Sequence, residues 1–375
     1  MTVGFHSPLP PAPTGVADYS AILLPELQKL LAVSAPPDEN ASIDLYHLGN
    51  NPLHREFYRR ALRRPGVVVL HDALLNHFLL GELGEADYAD EFVLNYGEWY
   101  RGYARELWRN RTRSGVESAY FEWPMIARVC RSSLAVIVHN PGAAGTVLRH
   151  APQARVVEIP HLWSPVAQCS GEDRARLRSQ WGVPDGTLVL GVFGHLRETK
   201  RLGPILRAFA RMRASSLPVY LLVAGDFVSP GVERSFAWEL AQPGIVRRGY
   251  LPEAEFWQHA GAVDLCLNLR YPSAGESSGI AVRLMGAGRA TMLTDGPEIA
   301  RFPREACLRC DPGLAEEDQI LAYCLWALRS PRALACMGEA AAAYIRREHN
   351  LASVARLYAD TLTGVSRGKQ GQAAG

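Results

Sequence analysis

The residues best suited to chemistry lie between two apolar stretches of strand length, at 263–269 and 290–294. They are small or polar and precede a run with helical spacing: Glu276, Ser277, Ser278, Gly279 and Ile280. Free backbone N–H groups at a helix start attract anions, and small residues let a phosphate approach closely. The carboxylate of Glu276 at the same turn can accept hydrogen bonds from sugar hydroxyls. The segment therefore predicts a site for a nucleotide sugar.

A basic loop follows another apolar stretch, at 187–193. Gly194 ends this stretch, and His195, Arg197 and Lys200 come directly after it. Such a loop can neutralise a diphosphate, and the alternative is a basic loop that only faces solvent. Ligands of open α/β sheets bind beyond the carboxyl ends of the strands. The loop is therefore a second candidate for the same site.

Two further loops leave predicted strands. Tyr250 and Leu251 follow the stretch at 245–249, on the side of the sheet where a nucleotide is expected. In the first half of the chain, the proline-rich loop at 7–19 contains Gly15, which lets the backbone turn or approach a ligand. On these residues alone, the loop at 7–19 fits a plain connector as well as a functional loop.

Strand-length apolar stretches alternate with helix-length amphipathic stretches along nearly the whole chain. The strands are predicted at 2–6, 42–47, 67–71, 134–139, 155–159, 187–193, 219–224, 245–249, 263–269 and 290–294. Apolar strands joined by helices are typical of parallel sheets covered on both faces, and so many strands in one sheet would be unusual. We therefore predict an α/β fold with two doubly wound Rossmann-like domains, at 1–163 and 164–350. A C-terminal helix and, from residue 364, a disordered tail are expected at 351–375.

The composition argues against several classes of protein. Of the 375 residues, 48% are hydrophobic and 21% charged, and the formal net charge is +2. This balance gives no basic field for nucleic acid, and no apolar stretch is long enough for a bilayer. The N-terminus lacks a signal peptide's basic start and apolar core, so a cytoplasmic location is expected. Cys307 and Cys310 have metal-ligand spacing, but no second pair completes a site, so no metal is expected.

Taken in order, these segments resemble the motifs of the retaining glycosyltransferases of the GT-B fold, specifically family 4. The proline-rich loop resembles the family's N-terminal Pro/Gly loop. The stretch from Gly194 to Lys200 is similar to its Gly-Arg-Leu-x₃-Lys segment, and Tyr250 and Leu251 resemble its base-contacting turn. Residues 276–288 are similar to the start of its Glu-x₇-Glu motif and to the helix that follows.

The resemblance implies two domains that face each other across a cleft. The second domain would bind the nucleotide and diphosphate of a UDP- or GDP-linked sugar, and the first would bind the acceptor. No cofactor beyond this co-substrate is implied. The residues expected at the reacting sugar are Glu276 and His71.

Two positions depart from the family's pattern. His195 stands where the family has a pyrophosphate-binding arginine, so Lys200 and Arg197 are expected to carry more of that charge. The second glutamate of Glu-x₇-Glu, which usually holds the donor ribose, is missing: Leu284 takes its place, beside Arg283. Arg283 lies one turn into the predicted helix and is expected to contact the donor phosphates or sugar. The alternative is an ion pair with an acid on a neighbouring helix.

His71 ends the predicted strand at 67–71 and precedes Asp72. It resembles the family position where a first-domain histidine faces the donor sugar. The alternative is a His–Asp pair at a helix start, since aspartate is a good N-cap residue. His139 and His161 also follow predicted strands and are expected to be structural.

Basic residues are concentrated in two stretches of the first half, 54–64 and 101–113. They could dock the first domain on anionic lipid at the inner membrane face, as in relatives that act on lipid-linked acceptors. An arginine-rich face in solvent is the favoured interpretation.

The resemblance therefore implies a hexosyltransferase that moves a sugar, with retention, from a nucleotide-sugar donor to an acceptor hydroxyl in glycan, polysaccharide or glycoconjugate biosynthesis. The acceptor could be a glycan, a lipid-linked molecule or a small molecule. One alternative is a nucleotide-sugar 2-epimerase, which usually has more carboxylates at the cleft than the sequence reveals. The other is an inactive subunit that binds a nucleotide sugar, because the second glutamate is missing. A dinucleotide oxidoreductase is disfavoured, since no predicted strand precedes Gly-x-Gly-x-x-Gly.

Overall fold

The apolar strand-length stretches form two parallel sheets of six strands each. The computed structural model describes residues 1–165 and 169–373, except for the side chains of 369–373. It confirms the predicted α/β fold of two Rossmann-like domains. Strand predictions are correct to within two residues at each end for all ten stretches.

The first domain begins the chain. Its elements are β1 (Thr2–His6), α1 (Gly15–Gln28), β2 (Ala32–Ser34), β3 (Ile43–Leu48), α2 (Arg55–Arg63), β4 (Val67–Leu70), α3 (Asn76–Glu82), α4 (Glu85–Tyr96), α5 (Arg101–Arg109), α6 (Ala127–Ser132), β5 (Ala135–Val138), α7 (Pro141–His150) and β6 (Val156–Glu158). The strand order is β2-β1-β3-β4-β5-β6. Strands β3, β4 and β5 are buried along their whole length, because helices cover both faces of the sheet.

The second domain repeats this architecture. Its elements are α8 (Gly171–Gln180), β7 (Leu188–Phe193), α9 (Leu202–Ala214), β8 (Val219–Ala224), α10 (Pro230–Ser235), α11 (Ala237–Leu240), β9 (Ile245–Arg248), α12 (Glu253–Ala262), β10 (Leu265–Asn268), α13 (Gly279–Gly286), β11 (Ala290–Thr294), β12 (Leu308–Cys310), α14 (Glu316–Arg329) and α15 (Pro331–Glu348). The strand order is β12-β11-β10-β7-β8-β9. The order reverses between β7 and β10, and this switch point is where open α/β sheets form their ligand crevice.

The last helix, α16 (Leu351–Ala373), returns to the first domain. Val354, Tyr358, Leu362 and Val365 are buried in the core beside β1 and α1. The hydroxyls of Tyr358 and Tyr19 lie 3.0 Å apart. The disordered tail expected at the C-terminus is therefore wrong for residues 364–373, which continue the helix; residues 374–375 lie outside the described part.

The chain crosses between the domains at two neighbouring places. It passes from the first domain to the second at Trp163 and returns to the first domain at His349 and Asn350. The backbone N–H of Trp163 donates to the carbonyl of His349 at 2.7 Å, and Trp163 forms a parallel bridge with Asn350. The two crossings are thus paired with each other.

Candidate active site

The glycine- and serine-rich segment lies at the switch point, between the end of β10 and the start of α13. Ser278 caps α13: its Oγ accepts the N–H of Ala281 at 3.2 Å and donates to Asn268 Oδ1 at 2.9 Å. The hydroxyl of Ser278 is therefore occupied within the protein. An anion could bind at the start of α13, where backbone N–H groups are free and the helix dipole has its positive end.

Glu276 is held by the residues around it. Its Oε1 accepts from Arg270 Nη1 at 2.6 Å, and its Oε2 accepts from the backbone N–H of Ala274 at 2.9 Å. Burial acts to raise the pKa of Glu276, but the Arg270 guanidinium and nearby backbone N–H groups outweigh it and hold this pKa below its usual value. The carboxylate is thus ionised and oriented without a ligand.

Arg270 is a site residue that the sequence motifs did not reveal. It lies two residues after the end of β10, and its Nη2 also donates to Ser278 Oγ at 3.0 Å. Its Nε is buried without a hydrogen-bond partner among the described residues. Its place at the carboxyl end of a strand was the one sequence signal that could have identified it.

Lys200 and Arg197 complete a cationic group with Arg270. The Lys200 side chain is buried, and its Nζ donates to the carbonyl of Phe193 at 3.2 Å. Burial, and then the charges of Arg270 and Arg197, lower the pKa of Lys200 far below its usual value. Their mutual repulsion would be relieved by a bound anion. His195 and Arg197 are exposed on the same loop.

The first domain packs directly on the segment that carries Glu276. Gly275 has a φ of +75°, and a Cβ built on it would lie 2.7 Å from Ala73 Cβ. Asn140 Nδ2 donates to the Gly275 carbonyl and to Ser277 Oγ, both at 3.0 Å. Glu276 therefore lies at the boundary between the domains.

This packing brings Asp72 to the site as a second carboxylate. Its Oδ2 accepts the backbone N–H of Asn50 at 2.7 Å. Burial, and then the charge of Glu276, raise the pKa of Asp72 to about 6, against the opposing effects of that N–H group and of two arginines. Asp72 does not cap a helix: among the described residues, α3 begins at Asn76 without a side-chain cap. The cleft thus holds a carboxylate that the sequence did not assign to it.

His71 lies within a group of aromatic side chains. Its Nε2 is 2.9 Å from His47 Nδ1, and its ring meets the Tyr19 ring edge-on at 4.8 Å. Burial, with neighbouring histidines, lowers the pKa of His71 far below its usual value, so the imidazole is neutral. His139 and His161 belong to the same group, and each has its Nδ1 hydrogen-bonded to a backbone carbonyl. Burial lowers the pKa of His139 to about 4 and that of His161 to about 3.

Arg283 takes the alternative position that the sequence left open. Its Nη2 donates to both carboxylate oxygens of Glu253, at 2.5 and 2.6 Å. Its guanidinium also lies 4.7 Å from the centre of the Phe256 ring. The pair is also close enough to affect the pKa of Asp18 in α1. Burial is the main cause that raises this pKa; the charge of Arg283 opposes the rise and that of Glu253 adds to it. A donor contact by Arg283 stays a prediction, and it would require a change in this pair.

The remaining predicted donor residues lie at the carboxyl ends of the second-domain strands, apart from Gly15. Tyr250 follows β9 with 73% of its surface exposed, and Leu251 is half-buried. Ile280 lies 3.4 Å from a Cβ built on Gly194, beside Lys200. Gly15 is exposed at the start of α1, where a Cβ would meet no described atom within 4 Å.

A cavity of about 650 Å³ adjoins Glu276 on the side of β11. It is bounded by Arg270, Ser277 and the loop after β11 in the second domain, and by the loop after β5 in the first. Its volume lies in the usual range for small-molecule sites. Glu276 and Arg270 thus both border this open space.

The arginines of the two basic stretches are largely paired with acids. Arg101 pairs with Glu98 and Asp90, and Arg109 pairs with Glu85. This pairing leaves less free charge for anionic lipid than the sequence suggests. Within 1–165 and 169–373, no helix combines the length and apolar character needed to cross a membrane.

No protein-family model matches the chain, and no curated protein sequence matches it. Several solved structures are nevertheless similar in fold. Anabaena HepE in complex with UDP and glucose has a TM-score of 0.67 at 14% identity, over 97% of this chain and 100% of that chain. WaaG, a glycosyltransferase involved in lipopolysaccharide biosynthesis, has 0.61 at 15% identity, over 97% of this chain and 100% of that chain. Sucrose-phosphate synthase from Thermosynechococcus elongatus has 0.60 at 13% identity, over 88% of this chain and 74% of that chain.

At these identities the similarity establishes the fold and nothing finer. The chain has the GT-B fold, in which two Rossmann-like domains face each other across a cleft.

Proposed function

We propose that this protein is a glycosyltransferase that moves a hexosyl group from a UDP- or GDP-linked sugar to an acceptor hydroxyl, with retention at the anomeric carbon. The observation that carries the proposal is the arrangement around Glu276. An ionised, oriented carboxylate lies at the start of α13, next to buried Lys200 and Arg270, at the boundary between two GT-B domains.

The donor diphosphate would bind at the start of α13. Lys200 and Arg270, with Arg197 at the rim, would neutralise it together with the free N–H groups of the helix. No metal is then needed for that charge. Because burial and two arginines lower the pKa of Lys200 without a ligand, a bound diphosphate would favour the charged form of the lysine. Tyr250 and Leu251 would contact the base.

The sugar would lie between Glu276 and the first domain. Glu276 would accept hydrogen bonds from sugar hydroxyls, and neutral His71 would face the sugar from the first domain. The bond from the anomeric carbon to the diphosphate oxygen breaks, and a bond to the acceptor oxygen forms on the same face. By the mechanism of the family it resembles, the departing phosphate takes the acceptor proton. The closed cleft would exclude water, which would otherwise hydrolyse the donor.

The acceptor would reach the sugar from the cavity beside Glu276, because residues of both domains line this space. Its mixed lining, with Arg270 and Asn140 beside Phe302 and Ile299, suits a polar molecule such as a glycan or other polyol. A lipid-linked acceptor would have to present its sugar end here.

Thermal unfolding with UDP, GDP and their common sugar derivatives tests the proposal, because a ligand that binds the folded state raises its stability. We expect one nucleoside diphosphate and its sugars to stabilise the protein, and the matching nucleotide sugar to be hydrolysed slowly. Anomeric retention is checked by NMR of the transfer product once an acceptor is found. Binding without hydrolysis or transfer would indicate an inactive subunit, and a C2-inverted sugar would indicate an epimerase. No stabilisation by any of these ligands would refute donor binding.

A further inference from the structure

Asn140 links the two domains through one side-chain amide. It follows β5, is 3% exposed, and caps α7 by accepting the N–H of Ala143 on Oδ1 at 2.8 Å. This hydrogen bond fixes which end of the amide is the NH₂ group, because a carbonyl oxygen alone can accept there. Nδ2 must therefore face the second domain, where it donates to Gly275 and Ser277.

The two partners of Asn140 are the residues on either side of Glu276. Ser277 makes a third bond across the boundary, from its Oγ to the carbonyl of His139 at 3.2 Å. Gly275 is held at a positive φ against Ala73, where a side chain would collide. The first domain therefore fixes both flanks of Glu276, although the segment belongs to the second domain.

We propose that Asn140 is a positioning residue that couples closure of the two domains to the placement of Glu276. When the domains separate, the Gly275 carbonyl and Ser277 Oγ lose their protein partners to water, and both flanks of Glu276 are released. When the domains close, the Asn140 amide holds residues 275–277 in one position. Arg270 and the Ala274 N–H orient the carboxylate from within the second domain, and the closed form, where water is excluded, adds a fixed backbone position on both sides of Glu276. This inference rests on the proposed glycosyl transfer for its role in catalysis.

The chain allows variants that separate the cap from the bridge. Asn140→Asp keeps an N-cap oxygen for Ala143, since aspartate caps as well as asparagine. Its second oxygen cannot donate and would face the Gly275 carbonyl. Asn140→Ser keeps an oxygen for the cap but has no amide group that could donate to Gly275 and Ser277. Asn51→Asp is a matched control, because Asn51 also caps a helical turn, by accepting the Leu53 N–H at 3.0 Å.

Two measurements test the coupling. In steady-state hydrolysis of UDP-glucose or GDP-mannose, whichever the wild type accepts, we expect Asn140→Asp to lower kcat by roughly 10- to 100-fold, as a small displacement of a reacting group does. Asn140→Ser should lower it less. The dissociation constant for UDP or GDP should stay at the value of wild type and Asn51→Asp, because the second domain is intact. Small-angle X-ray scattering without ligand should give a larger radius of gyration for Asn140→Asp than for either.

An Asn140→Asp variant with wild-type kcat overturns the proposal, and so does one with an unchanged radius of gyration. A parallel loss of nucleotide affinity and thermal stability also overturns it, because that pattern marks a purely structural residue. If the wild type neither binds UDP or GDP nor hydrolyses a nucleotide sugar, the proposed function fails. The scattering comparison then still decides whether Asn140 holds the domains together.

Discussion

Replacement of Asp72 by asparagine is expected to stabilise the protein at neutral pH, although it removes a polar contact of the cleft. The carboxylate of Asp72 is buried at the domain boundary near Glu276, and these two causes raise its pKa from 3.8 to about 6. Asparagine keeps an oxygen that can accept the N–H of Asn50 and removes the negative charge beside Glu276. It therefore resembles the protonated form of Asp72 at every pH.

The magnitude follows from the difference in pKa between the folded and unfolded chains. From 3.8 to about 6 is a rise of roughly two units, and each unit is worth about 1.4 kcal/mol. Because the folded form binds the proton more tightly, the contribution of Asp72 to the free energy of unfolding falls as pH rises from 3.8 to about 6, then stays at its lower value. Asp72→Asn should therefore be more stable than wild type by up to about 3 kcal/mol at neutral pH, and by under about 1 kcal/mol near pH 4.

Urea denaturation of wild type and Asp72→Asn, at about pH 7.5 and about pH 4, measures this difference in the free energy of unfolding. The exposed Asp185→Asn is the control for the loss of one charge. An Asp72→Asn variant that is less stable than wild type at pH 7.5, or a difference that does not depend on pH, would refute the reasoning. If the stabilised variant also hydrolyses the donor more slowly, Asp72 is a residue retained for activity at a cost in stability.

Three further substitutions test the site. Glu276→Ala should fold normally and lower nucleotide-sugar hydrolysis by ~10²-fold or more, as loss of a transition-state contact does; turnover within a few-fold of wild type would remove Glu276 from the site. Lys200→Ala should weaken nucleoside diphosphate binding in calorimetry by roughly 1.5–3 kcal/mol, and the exposed Arg197→Ala should weaken it less. The opposite order would identify Arg197 as the main cation. Arg283→Ala should leave this affinity unchanged if the pair with Glu253 persists on binding, and a clear loss of affinity would show that Arg283 reaches the donor phosphates.

The sheets were predictable because buried parallel strands have continuous apolar sequences. Strand β8 matches its predicted bounds, Val219–Ala224, and β4 is apolar from Val67 to Leu70. Edge strands β2 and β12 have three residues each. So short a stretch has no period that separates a strand from a loop, and β2 was therefore not predicted. The edge strand β6 is equally short but lies within the predicted stretch at 155–159.

The candidate site was predictable only where its residues share a local motif. Glu276 and Lys200 follow strands in segments with a recognisable order of residue types. Asp72 and Asn140 come to the site because two domains meet, and that contact joins residues far apart in the sequence. Arg270 lies only six residues before Glu276 but outside the recognisable motif. Nothing in the local sequence distinguishes an aspartate that caps a helix from one that faces a second carboxylate across a cleft.

The return of α16 to the first domain has a consequence for the order of events on the ribosome. Val354, Tyr358 and Leu362 complete a core whose other members come mainly from α1 and from β1, β3, β4 and β5, so one side of the first-domain sheet stays uncovered until they have been synthesised. The strands of the second domain all precede α16. Domains usually fold in the order of their synthesis, and here we expect the reverse. The second domain would fold first, while the first domain still has an apolar face exposed. Truncation before α16 should therefore produce a nascent chain that aggregates rather than two independently folded domains.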